Sequence, residues 1–212
     1  MKLGVLFSGG KDSYLAMHIA SETHELSCLL TINSSNPDSW MFHTPAIEWT
    51  KLQSQSLKIP HIIQNTKGVQ DKELDDLFEL IEKGKNQCSI EGIVTGALAS
   101  TYQSTRIQKI CNDLNLWCFN PLWQMSQETL LEELIENNIE SIITGVAAEP
   151  FGDEWLGREI NLECINDLIK LKGSHRINPA GEGGEIESFV INAPLFNSSL
   201  EIIQSKIHYS NY

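Results

Sequence analysis

No Cys-x-x-Cys pair occurs in this chain, although it contains five cysteines. Cys28, Cys88, Cys111, Cys118 and Cys164 are scattered and odd in number. That excludes an evident disulfide framework and an evident zinc site, both of which need paired or regularly spaced cysteines. It also removes the cysteine pair that sulfur-transferring enzymes often use. Cys111 falls on an apolar helical stripe and Cys28 and Cys118 in strand-like runs, where a free thiol behaves as a small buried hydrophobe. Positive charge is sparse as well: 15 Lys and Arg against 28 Asp and Glu give a formal net charge of −13. Proteins that grip nucleic acid carry a basic footprint, and no Lys/Arg cluster is found, so nucleic acid is not an expected partner. The acidic balance suits a small or cationic substrate or a basic region of a partner, or it serves solubility alone. No apolar run approaches the ~20 residues that span a bilayer, so no membrane is expected either. The opening Met1, Lys2 and Leu3 lead straight into an apolar run rather than a signal peptide, and a cytoplasmic location is expected. There is no internal repeat, no low-complexity tract, no Ser-His-Asp arrangement and no candidate Cys nucleophile.

What the chain does contain is regular alternation. Its 212 residues allow one large domain or two small ones, and 41% hydrophobic content supports a packed core. Apolar runs at 3–7, 26–32, 61–64, 92–95 and 116–119 predict strands. Between them, Leu74, Leu77, Phe78 and Ile81 repeat at helical spacing, with an end signal at Lys83-Gly84, and Ile107, Ile110, Cys111 and Leu114 repeat the same pattern. Alternating βα units imply an α/β fold with a mainly parallel sheet covered by helices on both faces. Ser34 to Thr44 reads as a loop, broken by Asn36-Pro37-Asp38. Composition changes near Asn120-Pro121. A helix through Leu130, Leu131, Leu134 and Ile135 follows, ended by Asn137-Asn138. A strand at 141–147 comes next, then a helix through Ile165, Leu168 and Ile169 ending near Gly173. Residues 178–184 are loop, and 189–191 are a short strand. The expected division is into residues 1–122 and a smaller unit, residues 123–212.

The densest chemistry sits at the first strand's end. Ser8, Gly9, Gly10, Lys11, Asp12 and Ser13 join an apolar strand to the helical pattern of Tyr14, Leu15, Ala16 and Met17. Such a junction presents backbone N–H groups and a helix N-terminus to an anion. The two glycines allow positive φ and close backbone approach. Lys11 adds a mobile positive charge, and Asp12 can hold Mg²⁺ against the same phosphates. The spacing is not that of a Walker loop, which places four residues between its glycine and Gly-Lys. Gly96 and Ala97 follow the fourth strand and reach the same sheet edge. Tyr102 and Arg106 lie one helical turn apart just beyond, and Arg106 either faces the cleft to neutralise phosphate or is a surface arginine. Glu149, Trp155, Gly157 and Arg158 follow the sixth strand, where Trp155 forms a substrate wall or anchors the second domain. Glu182, Glu185 and Glu187 place three carboxylates on a glycine-rich stretch. In extended chain Glu185 and Glu187 point to one side, and paired acids bind a cation, hold Mg²⁺ or share a proton. His43, in the loop before the second helix, lines the nucleotide site or is a stray loop histidine.

Taken together, these pieces resemble the diphthine–ammonia ligase group of the PP-loop ATP pyrophosphatases. The matching residues are Ser8 to Ser13; Phe42-His43-Thr44; Gly96-Ala97 with Ser100, Tyr102, Gln103 and Arg106; Pro121-Leu122-Trp123; Val146-Ala147-Ala148 through Trp155 to Arg158; and Asn178 through Glu185. They run in family order across nearly the whole chain. The chain departs from the pattern at Ala46, where archaeal relatives often have Asn. It departs again at Ile186 and Ser188, where relatives usually have an aromatic residue and Thr. The resemblance implies a Rossmann-like, adenine nucleotide alpha hydrolase-like domain with strand order 3-2-1-4-5, followed by a smaller C-terminal substrate domain. It also implies the cofactors ATP and Mg²⁺, and ammonia as a substrate. ATP and a carboxylate would give an acyl-adenylate and pyrophosphate, and ammonia would then displace AMP to form an amide. In the named enzymes the carboxylate is diphthine, a modified histidine of a translation elongation factor, whose trimethylammonium suits aromatic and acidic walls such as Trp155 and Glu185. Alternatives are another PP-loop reaction on a different carboxylate or small molecule, and a non-catalytic ATP-binding sensor. Homo-oligomerisation is left open.

Overall fold

The chain's structure, a computed structural model, describes residues 1–34, 36, 46–68 and 72–209. Its centre is a five-stranded sheet in the order β3-β2-β1-β4-β5, with every neighbouring pair parallel. The strands are β1 (Lys2–Leu6), β2 (Glu25–Ser34), β3 (His61–Thr66), β4 (Gly92–Val94) and β5 (Trp117–Phe119). The helices between them are α1 (Lys11–Ser21), α2 (Thr50–Leu57), α3 (Glu73–Cys88) and α4 (Thr101–Asp113). The order matches the arrangement expected from the family resemblance.

Period-two alternation along the strands builds a core on each face. Leu3, Val5, Leu29 and Val94 face a cluster with Tyr14, Leu15 and Met17 of α1 and Leu57 of α2. Cys28, Leu30, Ile32 and Ile93 face the other, with Leu77, Leu80 and Ile81 of α3 and Ile107, Ile110 and Cys111 of α4. Fully burying each such side chain contributes about 1.5–3 kcal/mol. Cys28 and Cys111 therefore serve as the small hydrophobes expected; both are free thiols.

Beyond β5 come α5 (Gln127–Glu136), β6 (Glu140–Val146), α6 (Leu162–His175) and β7 (Ile186–Asn192). β6 and β7 form a separate antiparallel pair. Their cover is continuous with the first core cluster, which joins Leu130, Leu131 and Leu134 of α5, Cys164, Ile165 and Leu168 of α6 and Val190 of β7 to α1 and β1. Ser126 and Asn161 cap α5 and α6 by accepting from Thr129 N and Cys164 N at 3.1 and 3.0 Å.

Two helix ends differ from expectation. α3 continues through Gly84 to Cys88 and stops where Ser89 turns left-handed, φ 52°. Gly84 is buried, and a Cβ there would sit 3.0 Å from Leu30 Cδ2, so this glycine serves close approach of helix to sheet rather than termination. α6 likewise runs through Gly173 and ends at Arg176, φ 58°. Among the described residues, no helix is long and apolar enough to cross a membrane.

Candidate active site

The strand order determines where a site forms. After β1 the chain winds through β2 and β3 on one side, then returns to place β4 on the other. The loops leaving β1 and β4 therefore diverge, and ligands of open α/β sheets bind in that opening. Here it holds a cavity of about 460 Å³. Its walls include Ser8 and Gly10 of the first loop with Lys11, Asp12 and Ser13 of the first turn of α1, Gly96, Ala97 and Ser100 of the β4–α4 loop with Gln103 of α4, and Glu182 with Glu187 and Ser188 of β7. Three stretches far apart in sequence thus meet at one point.

The first loop is shaped by its glycines. Gly9 has φ 80°, a conformation strained for any side chain, and a Cβ there would collide with Gln53 Oε1. Gly96 is needed for another reason. A Cβ on it would lie 2.8 Å from both Asp12 C and Ser13 N, so the two loops touch backbone to backbone. α1 begins with Gly10 as its cap and has no side-chain capping bond. Its positive end is directed at the cavity, as anion sites at helix N-termini require. Lys11 is only 3% exposed, and its Nζ lies 3.0 Å from Asp12 Oδ2. Asp12 Oδ1 is buried without a partner. An ammonium and a spare carboxylate oxygen on one cavity floor suit a polyphosphate and its cation.

On the opposite wall, Glu182 Oε1 accepts from Ala99 N at 3.1 Å. Burial raises its pKa, and the nearby Asp12 charge pushes the same way, while the Ala99 N–H and Lys11 oppose. Glu185 behaves differently. Its carboxylate accepts from Asn178 N at 3.0 Å, Asn178 Nδ2 at 2.7 Å and Gly183 N at 2.8 Å. Glu185 therefore staples its own loop, and it does not share the cavity wall with Glu187. The extended-chain alternation that paired them does not hold, because Glu185 lies in the bend before β7 and only Glu187 is in the strand.

The other expected residues lie outside the cavity lining. Arg106 folds back on its own helix: its guanidinium lies 3.4 Å over the Tyr102 ring, and Nη1 donates to Tyr102 O at 3.1 Å. The Glu149–Arg158 segment packs along β6, where Gly157 N donates to Ile143 O at 2.8 Å and Ile143 N to Arg158 O at 2.9 Å. Trp155 is 7% exposed and meets Phe151 edge-on at 5.0 Å. Arg158 stacks on it at 4.7 Å and pairs with Asp167 at 2.6 Å. Of the two readings of Trp155, the contacts are those of an anchor. His43 lies outside the described residues.

Several contributors were not legible beforehand. Ser188 Oγ accepts from Lys11 N at 3.1 Å, and Val190 N donates to Gly9 O at 3.0 Å, so β7 braces the first loop from behind. Gln53 of α2 donates to both Gly9 O and Val190 O, at 2.9 and 2.8 Å. Tyr14 Oη accepts from Leu195 N at 3.1 Å and ties α1 to the chain after β7, where burial raises the phenol's pKa. His61 Nε2 lies 2.8 Å from Thr31 Oγ1, which donates to Phe7 O at 2.6 Å. The hydroxyl spends its proton on Phe7, so the ring nitrogen is the donor. Burial, then the Lys51 charge, lowers the His61 pKa to about 4. Hydroxyls, amides and an imidazole recur throughout the sequence, and only strand neighbours separate these from the rest.

Comparison with known proteins gives consistent results. The family described as diphthamide synthase N-terminal domain matches residues 1–117, and the diphthamide synthase C-terminal domain matches residues 126–212. The diphthine–ammonia ligase of Rattus norvegicus is 33% identical over 228 residues, covering 97% of this chain and 84% of the rat protein. Those of Bos taurus and Homo sapiens are each 31% identical, covering 98% of this chain and 85% of their own length.

Proposed function

This chain belongs to the diphthamide synthase family, and we propose that it is an ATP-dependent ligase that joins ammonia to a carboxylate, with diphthine on a translation elongation factor as the acceptor. The observation that carries the reading is the shared cavity. The phosphate-loop motif, the β4–α4 loop and the acidic 181–188 stretch line one space of about 460 Å³.

In this reading ATP lies with its β- and γ-phosphates on the 8–13 loop and its nucleoside against Gly96 and Ala97. The residues fit the implied Mg²⁺, because Asp12 Oδ1 is buried and unpartnered beside Lys11. Asp12 would hold the ion, which supplies charge neutralisation on the phosphates when bound. The acceptor carboxylate enters from the side of Glu182 and Glu187. Its oxygen attacks the α-phosphorus, the bond to the α–β bridging oxygen breaks, and pyrophosphate leaves. Lys11 stabilises the charge that develops on that bridge, and the uncapped N-terminus of α1 holds the leaving group. Ammonia then attacks the acyl carbon, the bond to the AMP oxygen breaks, and the nitrogen loses a proton to give the amide. Positioning the carboxylate in line with the α-phosphorus supplies much of the remaining acceleration.

Residues 1–122 would bind the nucleotide and 123–212 would present the acceptor. The acidic wall suits the acceptor's trimethylammonium. Glu185 would act there through the loop it staples, and Trp155, Gly157 and Arg158 through the frame beside β6. Tyr102 and Arg106 would steady α4, whose first turn meets the nucleotide.

The test uses elongation factor purified from eukaryotic cells deleted for their own diphthine–ammonia ligase. Incubated with this protein, ATP, Mg²⁺ and ammonium, it should yield AMP, pyrophosphate and the amide in equal amounts, read by mass spectrometry of the modified histidine. ATP that stays bound and intact would point instead to the sensor.

A further inference from the structure

We infer that Gln53 is a positioning residue for the reaction: its side-chain amide locks the phosphate loop in its ligand-ready shape and couples that loop to the acceptor wall. This rests on the reading that the 8–13 loop receives the polyphosphate of ATP.

Gln53 lies in the middle of α2 and is fully buried. A buried glutamine amide is retained at a desolvation cost that its bonds must offset. Both of its N–H groups are used: Nε2 donates to Gly9 O at 2.9 Å and to Val190 O at 2.8 Å, partners 44 and 137 positions away. Two carbonyls on one nitrogen leave no choice of orientation, because a flipped amide would set oxygen against oxygen. The inward Oε1 has no hydrogen-bond partner. It faces Gly9 so closely that only glycine fits there.

The consequence for the loop follows from Gly9. Its carbonyl receives Gln53 Nε2 and also Val190 N at 3.0 Å. Two donors from behind hold that carbonyl away from the ligand side. Ser8, Gly10 and Lys11 line the cavity and Gly9 does not. The turn at φ 80° thus sets Gly10 and Lys11 on the cavity wall. On its other bond Gln53 holds Val190, two positions from Ser188, whose Oγ receives Lys11 N at 3.1 Å. One amide therefore joins α2, the phosphate loop and β7, the strand that carries Glu187 and Ser188 on the cavity wall. A side chain serving α2 stability alone would bond within α2 or to its nearest neighbour.

The test compares Gln53→Met, which keeps volume and removes both bonds, with Gln53→Asn, which keeps an amide too short for both carbonyls. The control is Ser56→Ala on the same helix, where the two lost bonds are to the Ser198 backbone and not to the loop. ATP dissociation constants are measured by calorimetry well below each variant's melting temperature, with circular dichroism to verify the fold, alongside kcat and KM for pyrophosphate release. Weakening of ATP binding by about ten-fold or more in Gln53→Met, a smaller loss in Gln53→Asn, a fall in kcat and near-wild-type values in Ser56→Ala support the proposal. Lowered melting temperatures in all three variants, with ATP affinity and kcat retained, would overturn it and leave Gln53 a structural residue. Wild-type protein that binds no ATP would overturn the underlying reading instead.

Discussion

Replacing Gly96 with alanine should disable the site out of proportion to its effect on stability. The added Cβ would lie 2.8 Å from Asp12 C and Ser13 N and 2.9 Å from Asp12 O. All three are backbone atoms, so no flexible side-chain end can swing away. Restoring an ordinary contact of 3.4 Å needs a displacement of about 0.6 Å between the β4–α4 loop and the first turn of α1. Overpacking of this kind typically costs about 1–3 kcal/mol. For a chain of this size that corresponds to roughly 2–12 °C in melting temperature. The same shift moves Lys11 and Asp12 relative to the nucleoside wall, and misplacements near 1 Å cost about 100-fold in rate. Gly173 supplies the contrast: it lies inside α6 with nothing within 4 Å of an added Cβ. Alanine there should stabilise by about 0.5–1 kcal/mol through helix propensity. Differential scanning fluorimetry and pyrophosphate release, run on both variants, measure the two effects. Equal rates and equal melting temperatures for Gly96→Ala and wild type would refute the claim that the loops meet backbone to backbone.

Three further outcomes are expected. Lys11→Ala should cut pyrophosphate release by about 10²–10³-fold with an unchanged circular dichroism spectrum; release at the wild-type rate would remove Lys11 from the mechanism. Glu185→Ala should speed hydrogen exchange at the Asn178 and Gly183 amides, whose acceptor it removes, and unchanged protection would contradict the stapling role. His61 makes stability pH-dependent: its folded pKa of about 4 lies below the ordinary 6.5. The unfolded chain therefore binds more protons in that interval, so the contribution is complete above about pH 6.5 and is lost as pH falls toward 4. Urea midpoints should lose that part of their slope in His61→Gln, and identical pH profiles would count against a half-buried neutral ring.

The fold was largely legible because burial on both faces leaves a direct imprint on sequence. The runs at 3–7, 26–32 and 92–95 fall on β1, β2 and β4, and the stripe Ile107, Ile110, Cys111 gives the buried face of α4. Strand order was not written in that periodicity and came with the family resemblance. Gly84 and Gly173 misled because glycine marks both helix ends and close approaches, and only the neighbouring layer distinguishes them. Lys11, Asp12 and Glu182 announced themselves through glycine-rich settings, and Gly96 through its place after the fourth strand. Gln53, Ser188 and Val190 did not, because their part depends on β7 returning beside the loop after β1, a contact between opposite ends of the chain. Trp155 and Arg158 carried chemically suggestive side chains that the structure spends on Phe151 and Asp167.

Oxygen-18 placed in the acceptor carboxylate tests the central claim most directly. Attack by that carboxylate on the α-phosphorus, followed by displacement with ammonia, must leave one labelled oxygen in AMP and none in pyrophosphate. Label in inorganic phosphate, with ADP as the nucleotide product, or AMP without label while amide forms, would contradict cleavage of ATP through an acyl-adenylate in this cavity.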